Sequence, residues 1–294
     1  MNVAHRGIVV PMVTPFDDVG DVDEGALRWL TNHLIAKGMH ILFPAGSTGE
    51  GWSLSRQERK RVFEIVVDEV RGRVPVFAGT GAITTRETVY LTAMAEDCGV
   101  DAAVVITPFY IAPSDDELYE HYATVASATK LPVYPYNNPH RTGVNLSASL
   151  VSRLAQIDNL IGIKDSSRDV ALTMEFIRRT PDGFKVFMGP DNLMFSGLAV
   201  GCDGAVPAFA NLAPDIAAKV YKDFQNGDWS GAITAQHQLS QLRATLSLGT
   251  FPAMVKEAMA LAGMPMGAAR APVRGLTLDS SKQLRDVLEA VGVL

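Results

Sequence analysis

The stretch LPVYPYNNPHRTGVNLSASLVSRLAQIDNLIGIK, residues 131–164, decides the fold. It opens with an apolar run rich in Val and Tyr at 131–136 and closes with a second, LIGIK, at 160–164. Between them residues 147–156 carry a helical pattern of apolar positions. Two short strands joined through a helix read as one parallel crossover unit.

The same unit repeats along the chain. Short runs rich in Val, Ile and Phe stand at 7–14, 40–45, 74–80, 102–108, 184–189 and 203–209, which brings the candidate strands to eight. Helical patterns at 55–71, 85–98, 114–128, 169–180 and 213–225 alternate with them. Ser55 with Glu58, and Ser114 with Glu117, read as capping boxes, and Gly72 and Gly99 sit where helices end. An open doubly wound sheet usually carries a glycine-rich fingerprint after its first strand. Here that strand runs into PMVTPFDDVGD, with no GxGxxG. Eight strands in this span fit a closed (β/α)8 barrel, the α/β TIM-barrel class. After residue 226 the strand pattern stops, and 229–247, 252–263 and 279–291 read as three helices. The expected organisation is a catalytic barrel at 1–226 and a C-terminal three-helix extension at 227–294.

The 294 residues carry a formal net charge of -6 and no basic run, which disfavours a nucleic-acid partner. The N-terminal MNVAHRGIVVPMVTPF lacks the apolar core and cleavage site of a leader, and no apolar run reaches a membrane span. A cytoplasmic protein with no membrane partner is expected. Cys98 and Cys202 have neither CxxC spacing nor the density of a disulfide scaffold, and read as small buried residues.

Functional side chains of such a barrel sit at the C-terminal ends of its strands and in the loops that follow. That rule selects Thr14, Ser47 and Thr48 in AGSTGEG, Tyr110 closing ITPFY, Tyr136, Asn137 and Arg141, then Lys164, and Asp191 in MGPDN. Lys164 ends a run that looks buried, where an ammonium is costly. It is either the partner of Asp165 in an ion pair or a desolvated amine able to attack a carbonyl. Tyr136 ends the preceding strand, so its hydroxyl can meet Lys164 and move protons, with Ser47, Thr48 and Tyr110 as relay hydroxyls; the alternative is a packed aromatic. GSTGE offers hydroxyls and consecutive N–H groups for a carboxylate, braced by Glu50, or is a plain turn. Arg141 is suited to a second carboxylate, or is solvated. His140 reads as a surface residue near the mouth. The six histidines show no metal-ligand spacing, so no metal is expected.

Taken together, GSTGE at 46–50, YNNPHRTG at 136–143 and GIKDSS at 162–167 resemble the dihydrodipicolinate synthase / N-acetylneuraminate lyase family, and the similarity runs from GIVVPMVTPF to ARAPVRGL. The resemblance implies a pyruvate-dependent class I aldolase, a lyase that forms a Schiff base on Lys164 and needs no cofactor beyond that covalent imine. Tyr136 becomes the proton shuttle. Ser47 and Thr48 hold the 2-oxo acid carboxylate, and Ser47 links Tyr136 to Tyr110, which in the family reaches a neighbouring subunit's site within a homotetramer built from dimers. Gly189 and Val206 match pocket-lining positions. Arg141 within RTG favours dihydrodipicolinate synthase and aspartate semialdehyde. Ser47 departs from that subfamily toward the sialic acid lyases. Asp191 fits a lyase-like contact, whereas Asn192 and Ala208 replace the Glu and Ser expected of one. Asn138 and His140 are unusual beside the tyrosine, and Trp52 adds bulk near the mouth. The alternatives are an N-acetylneuraminate lyase-like or 2-keto-3-deoxy sugar acid aldolase or dehydratase, and a non-catalytic 2-oxo acid sensor.

Overall fold

Every one of the eight expected strands forms. They are β1 (Gly7–Pro11), β2 (Ile41–Phe43), β3 (Phe77–Gly79), β4 (Ala102–Ile106), β5 (Val133–Asn137), β6 (Gly162–Asp165), β7 (Lys185–Met188) and β8 (Gly204–Ala205). The computed structural model describes residues 5–294; the first four residues, part of the stretch read for a leader, lie outside it. All paired strands are parallel, in the order β2-β1-β8-β7-β6-β5-β4-β3. A bridge between Leu42 and Val76 joins β2 to β3 and closes the barrel. The paired segments are shorter than the apolar runs because prolines 44, 75, 132, 190 and 207 flank them and donate no N–H.

Helices fill the crossovers: α1 (Glu24–Ala36), α2 (Arg56–Val70), α3 (Thr85–Asp97), α4 (Asp115–Ser127), the one-turn α5 (Pro139–Thr142), α6 (Ala148–Leu154), α7 (Val170–Arg179), α8 (Met194–Ala199) and α9 (Pro214–Gln225). Both capping boxes form, at Ser55–Glu58 and Ser114–Glu117. Helices α1 and α8 fill crossovers left unassigned by the apolar patterns above. The signal for α1 is present: Asp23 caps it, accepting from the Ala26 N–H, and Leu27, Leu30 and Leu34 recur at helical spacing. Each of those leucines is fully buried, worth roughly 1.5–3 kcal/mol. Helix α8 has six residues and no side-chain cap, so its pattern is too short to read.

Beyond the barrel come α10 (Trp229–Ala244), α11 (Ala253–Leu261) and α12 (Leu278–Val291). They form the expected three-helix extension, with residues 245–248 turning into a 3-10 helix at the end of α10. Among the described residues, no helix is long and apolar enough to cross a membrane.

Two apolar clusters result from the two-residue alternation of strands. One lies between barrel and helices; the other lies inside the barrel and includes Phe43, Val104, Tyr134, Tyr136, Phe187 and Val206. Successive residues of β6 therefore face opposite sides. Lys164 looks into the barrel. Asp165 looks out, accepting hydrogen bonds from Ser167 N–H, Ser167 Oγ, Asn137 Nδ2 and Thr173 Oγ1. The ion pair between these neighbours is ruled out by the pleat.

Candidate active site

Strands β5 and β6 pair in a register that sets Tyr136 directly opposite Lys164. The Lys164 Nζ lies 4.0 Å from the centroid of the Tyr136 ring and 4.9 Å from that of Phe43. Both residues are almost fully buried, at 6% and 5% exposure. Burial lowers the Lys164 pKa below that of an ordinary lysine. Tyr136 and Asp191 oppose the shift, and Arg141 adds to it. Burial pushes the Tyr136 phenol up, but the charge of Lys164 and hydrogen bonds with Ser166, Asn138 and Ser47 outweigh it and hold the phenol below its usual value. The pair is a poorly solvated amine beside an acidified phenol, which suits carbonyl addition with proton transfer.

A cavity of about 250 Å³ opens above the pair. Of the residues singled out from sequence, Ser47, Thr48, Tyr136, Arg141, Lys164, Gly189 and Val206 all border it. Gly189 allows this closeness, since a Cβ there would stand 1.9 Å from Ser166 Oγ. Tyr110 and Asp191 do not border the cavity. Tyr110 is 94% exposed, held out by a left-handed backbone with φ of 73°. Asp191 has no exposed surface; its Oδ1 accepts from Phe209 N–H at 2.8 Å and its Oδ2 from Arg243 Nη1 at 3.0 Å.

The GSTGE loop is held from several sides. Thr14 Oγ1 donates to Gly49 O at 2.6 Å, and Gly51 N–H donates to Gly46 O at 3.1 Å. Buried Arg59 donates to the carbonyls of Gly79 and Gly51, and its desolvation lowers its pKa to about 10. Glu50 sits in the left-handed region with φ of 51°, a strained setting for a non-glycine residue. Its carboxylate is buried against the C-terminal extension: Oε1 meets Lys256 Nζ at 2.8 Å, and Oε2 accepts the Arg270 N–H at 2.8 Å. The brace expected of Glu50 is thus an ion pair across 206 positions of chain (Glu50 to Lys256). Among the described residues, the N–H groups of Ser47, Thr48 and Gly49 donate to no protein acceptor, which leaves them available to an anion.

Several cavity residues have no strong signal in the sequence. Arg243 comes from α10 and Phe251 from the turn before α11, so the extension supplies one wall. Phe251 stacks under Arg141, with the guanidinium carbon 4.5 Å from the ring centroid. Arg168 borders the cavity with a positive φ of 66°. Its proximity, with that of Arg243, lowers the Arg141 pKa after the larger effect of desolvation. Neither Arg141 nor Arg168 has a carboxylate partner among the described residues, so the mouth is net positive. His140 also borders the cavity, its Nε2 3.1 Å from Ser167 O. Only residue type could have hinted at Arg243, since nothing local marks a helix position 79 residues past Lys164 as part of its site.

The thiols stay outside this chemistry: burial raises Cys98 and pushes Cys202 up to about 12. No group of metal-ligating side chains occurs among the described residues.

The chain has relatives over nearly its whole length. The model of the Dihydrodipicolinate synthetase family matches residues 4–291. A 4-hydroxy-tetrahydrodipicolinate synthase of Methanopyrus kandleri is 38% identical over 296 residues, spanning 100% of this chain and 99% of its own. An uncharacterised DapA-like lyase of Halobacterium salinarum is 40% identical over 289 residues, spanning 98% of this chain and 95% of its own. Among solved structures, chloride-inhibited dihydrodipicolinate synthase from Acinetobacter baumannii, complexed with pyruvate, superposes with a TM-score of 0.95 at 34% identity, over 98% of this chain and 99% of that one. A barrel with a buried lysine and tyrosine in register, matched along its whole length, belongs to the dihydrodipicolinate synthetase family of class I, pyruvate-dependent lyases and aldolases.

Proposed function

We propose that Lys164 forms a Schiff base with pyruvate and that the resulting enamine adds to aspartate semialdehyde, the reaction of a 4-hydroxy-tetrahydrodipicolinate synthase. The observation that carries this reading is the register of Tyr136 opposite Lys164 beneath a positively charged mouth. The neutral amine attacks C2 of pyruvate. Tyr136 supplies the proton with which the carbinolamine loses water, leaving an iminium. Loss of a C3 proton to Tyr136 gives the enamine. Its C3 bonds to the aldehyde carbon, and the aldehyde oxygen takes the proton back. The amino group of the semialdehyde then attacks the iminium carbon, closes the ring and frees Lys164. The free N–H groups and hydroxyls of Ser47 and Thr48 seat the pyruvate carboxylate, and Arg141 takes the carboxylate of the aldehyde. Gly189 and Val206 shape the floor. The reaction so written uses no metal or cofactor, because the iminium is the electron sink.

Asp191 would serve a sugar acid better than a semialdehyde. Asp191 does not border the cavity and its carboxylate is taken by Arg243, which weighs against the sialic acid lyase-like reading. The proposal extends to a cytoplasmic homotetramer in which the outward Tyr110 completes the relay of a neighbouring subunit. The exposure of Tyr110, with Ile111 and Trp52 also half exposed, supports it, and sedimentation tests it.

The test is a substrate panel with trapping. Pyruvate and borohydride should add irreversibly to the wild type and not to Lys164→Ala. Failure of the adduct sinks the Schiff base. Turnover of aspartate semialdehyde that is lost in Arg141→Ala supports the synthase; turnover only of N-acetylmannosamine or other sugar aldehydes replaces it. An adduct with no turnover of any aldehyde leaves a sensor.

A further inference from the structure

Asn138 stands out among the residues around Lys164 because it touches the one atom that must move protons. Its Nδ2 donates to Tyr136 Oη at 2.8 Å, within a buried pocket, and the residue itself is 7% exposed. A phenol has one proton and two lone pairs, so an amide donor occupies a lone pair and directs the O–H elsewhere. The backbone that carries this side chain is anchored. Its backbone carbonyl accepts from the N–H groups of Arg141 and Thr142 and from Thr142 Oγ1 at 3.1 Å, where α5 begins. The turn that carries Arg141 to the mouth therefore also aims the amide at the tyrosine.

We propose that Asn138 is a positioning residue for the proton shuttle: it holds Tyr136 as a hydrogen-bond acceptor and stabilises its phenolate form. The inference rests on the reading of Tyr136 as the shuttle. An amide N–H bonds a phenolate more strongly than a phenol, because the bond to the anion is charge-assisted. Asn138 thus shares the task of charge stabilisation with Lys164. It matters most when Lys164 is a neutral amine or an enamine, when no cationic nitrogen lies beside the phenol. An apolar residue at the same place would leave Tyr136 a weaker acid and a base farther from the working pH. The acidity of Tyr136 described above agrees, with Asn138 among its causes.

The experiment is the pH dependence of kcat with pyruvate and whichever aldehyde the panel identifies, in Asn138→Leu and in the isosteric Asn138→Asp. Borohydride trapping of pyruvate on Lys164 in both variants reports that the site is folded. The expected result is an intact adduct, a kcat about tenfold lower, and an alkaline limb moved up by about one pH unit, the size of one lost hydrogen bond to a charged group. Asn138→Asp should move the limb further, since an ionised carboxylate repels the phenolate. A limb that stays in place or moves down in either trapped variant overturns the proposal. Tyr136→Phe separates the two readings: full activity there refutes the shuttle itself, whereas a large loss there with no shift in the Asn138 variants refutes only this role.

Discussion

The cavity has two unlike walls. One is built from the ends of β5, β6 and β7, where Tyr136, Lys164 and Gly189 are placed by backbone register within 53 residues of chain (136 to 189). The other is built from the extension, where Arg243 reaches in from α10 and Phe251 from the turn before α11, while Lys256 and Arg270 hold the GSTGE loop through Glu50. The strand wall is held by main-chain hydrogen bonds, so its side chains can be chosen for chemistry. The helical wall is held by side chains, so the same residues serve stability and substrate at once. Substitutions should therefore separate: the first wall governs rate, the second governs stability and affinity.

Tyr136→Phe gives the largest effect. Removing the shuttle hydroxyl should lower kcat by about 10²–10⁴ while borohydride still traps pyruvate on Lys164 and the melting temperature barely moves. A normal kcat, or a protein that fails to fold, would erase the contrast. Lys256→Met comes next and acts on the other quantity. It strands the Glu50 carboxylate in a buried site, a loss on the order of 3–5 kcal/mol in unfolding free energy. Chemical denaturation measures that loss, and the KM for pyruvate should rise because Ser47 and Thr48 ride on the same loop. Unaltered stability would show that the extension does not anchor the loop.

Arg243→Met should be milder. It leaves Asp191 without its ion-pair partner and removes a positive charge from the mouth. The expected outcome is a KM for the aldehyde raised about tenfold, the worth of ~1.4 kcal/mol, with pyruvate still trapped on Lys164 by borohydride. Loss of that adduct instead would tie Arg243 to the strand wall. The smallest effect is one of pH. Because burial lowers the Lys164 pKa, its reactive neutral form persists below the ordinary lysine range. The rate of borohydride trapping should fall as pH drops through the lowered pKa, with a midpoint below 10.5. A midpoint at the ordinary lysine value would mean that burial does not tune the amine.

Most of the strand wall was legible in the sequence, and most of the helical wall was not. Strand and helix periodicities, with their caps, are local signals, and they sufficed for eight strands and a closed barrel. The rule that barrel chemistry sits at strand ends then singled out Lys164, Tyr136, Ser47, Thr48 and Arg141, and all of these border one cavity. The same rule also singled out Asp191 and Tyr110. Nothing in the local sequence says that Asp191 turns to Arg243 or that Tyr110 is carried outward. Arg168 was invisible for a related reason: a left-handed arginine after β6 looks, in sequence, like any loop residue.

By itself, the sequence determined the barrel, the extension and the lysine–tyrosine pair, because hydrogen bonding and alternation act over a few residues and leave a period in the chain. Only the tertiary structure decided which side of the pleat Lys164 and Asp165 face, that Asn138 touches the phenol, and that Lys256 and Arg270 close on Glu50. Those contacts join positions as far apart as 220 residues (Glu50 to Arg270), and a pairing at that distance leaves no period to read.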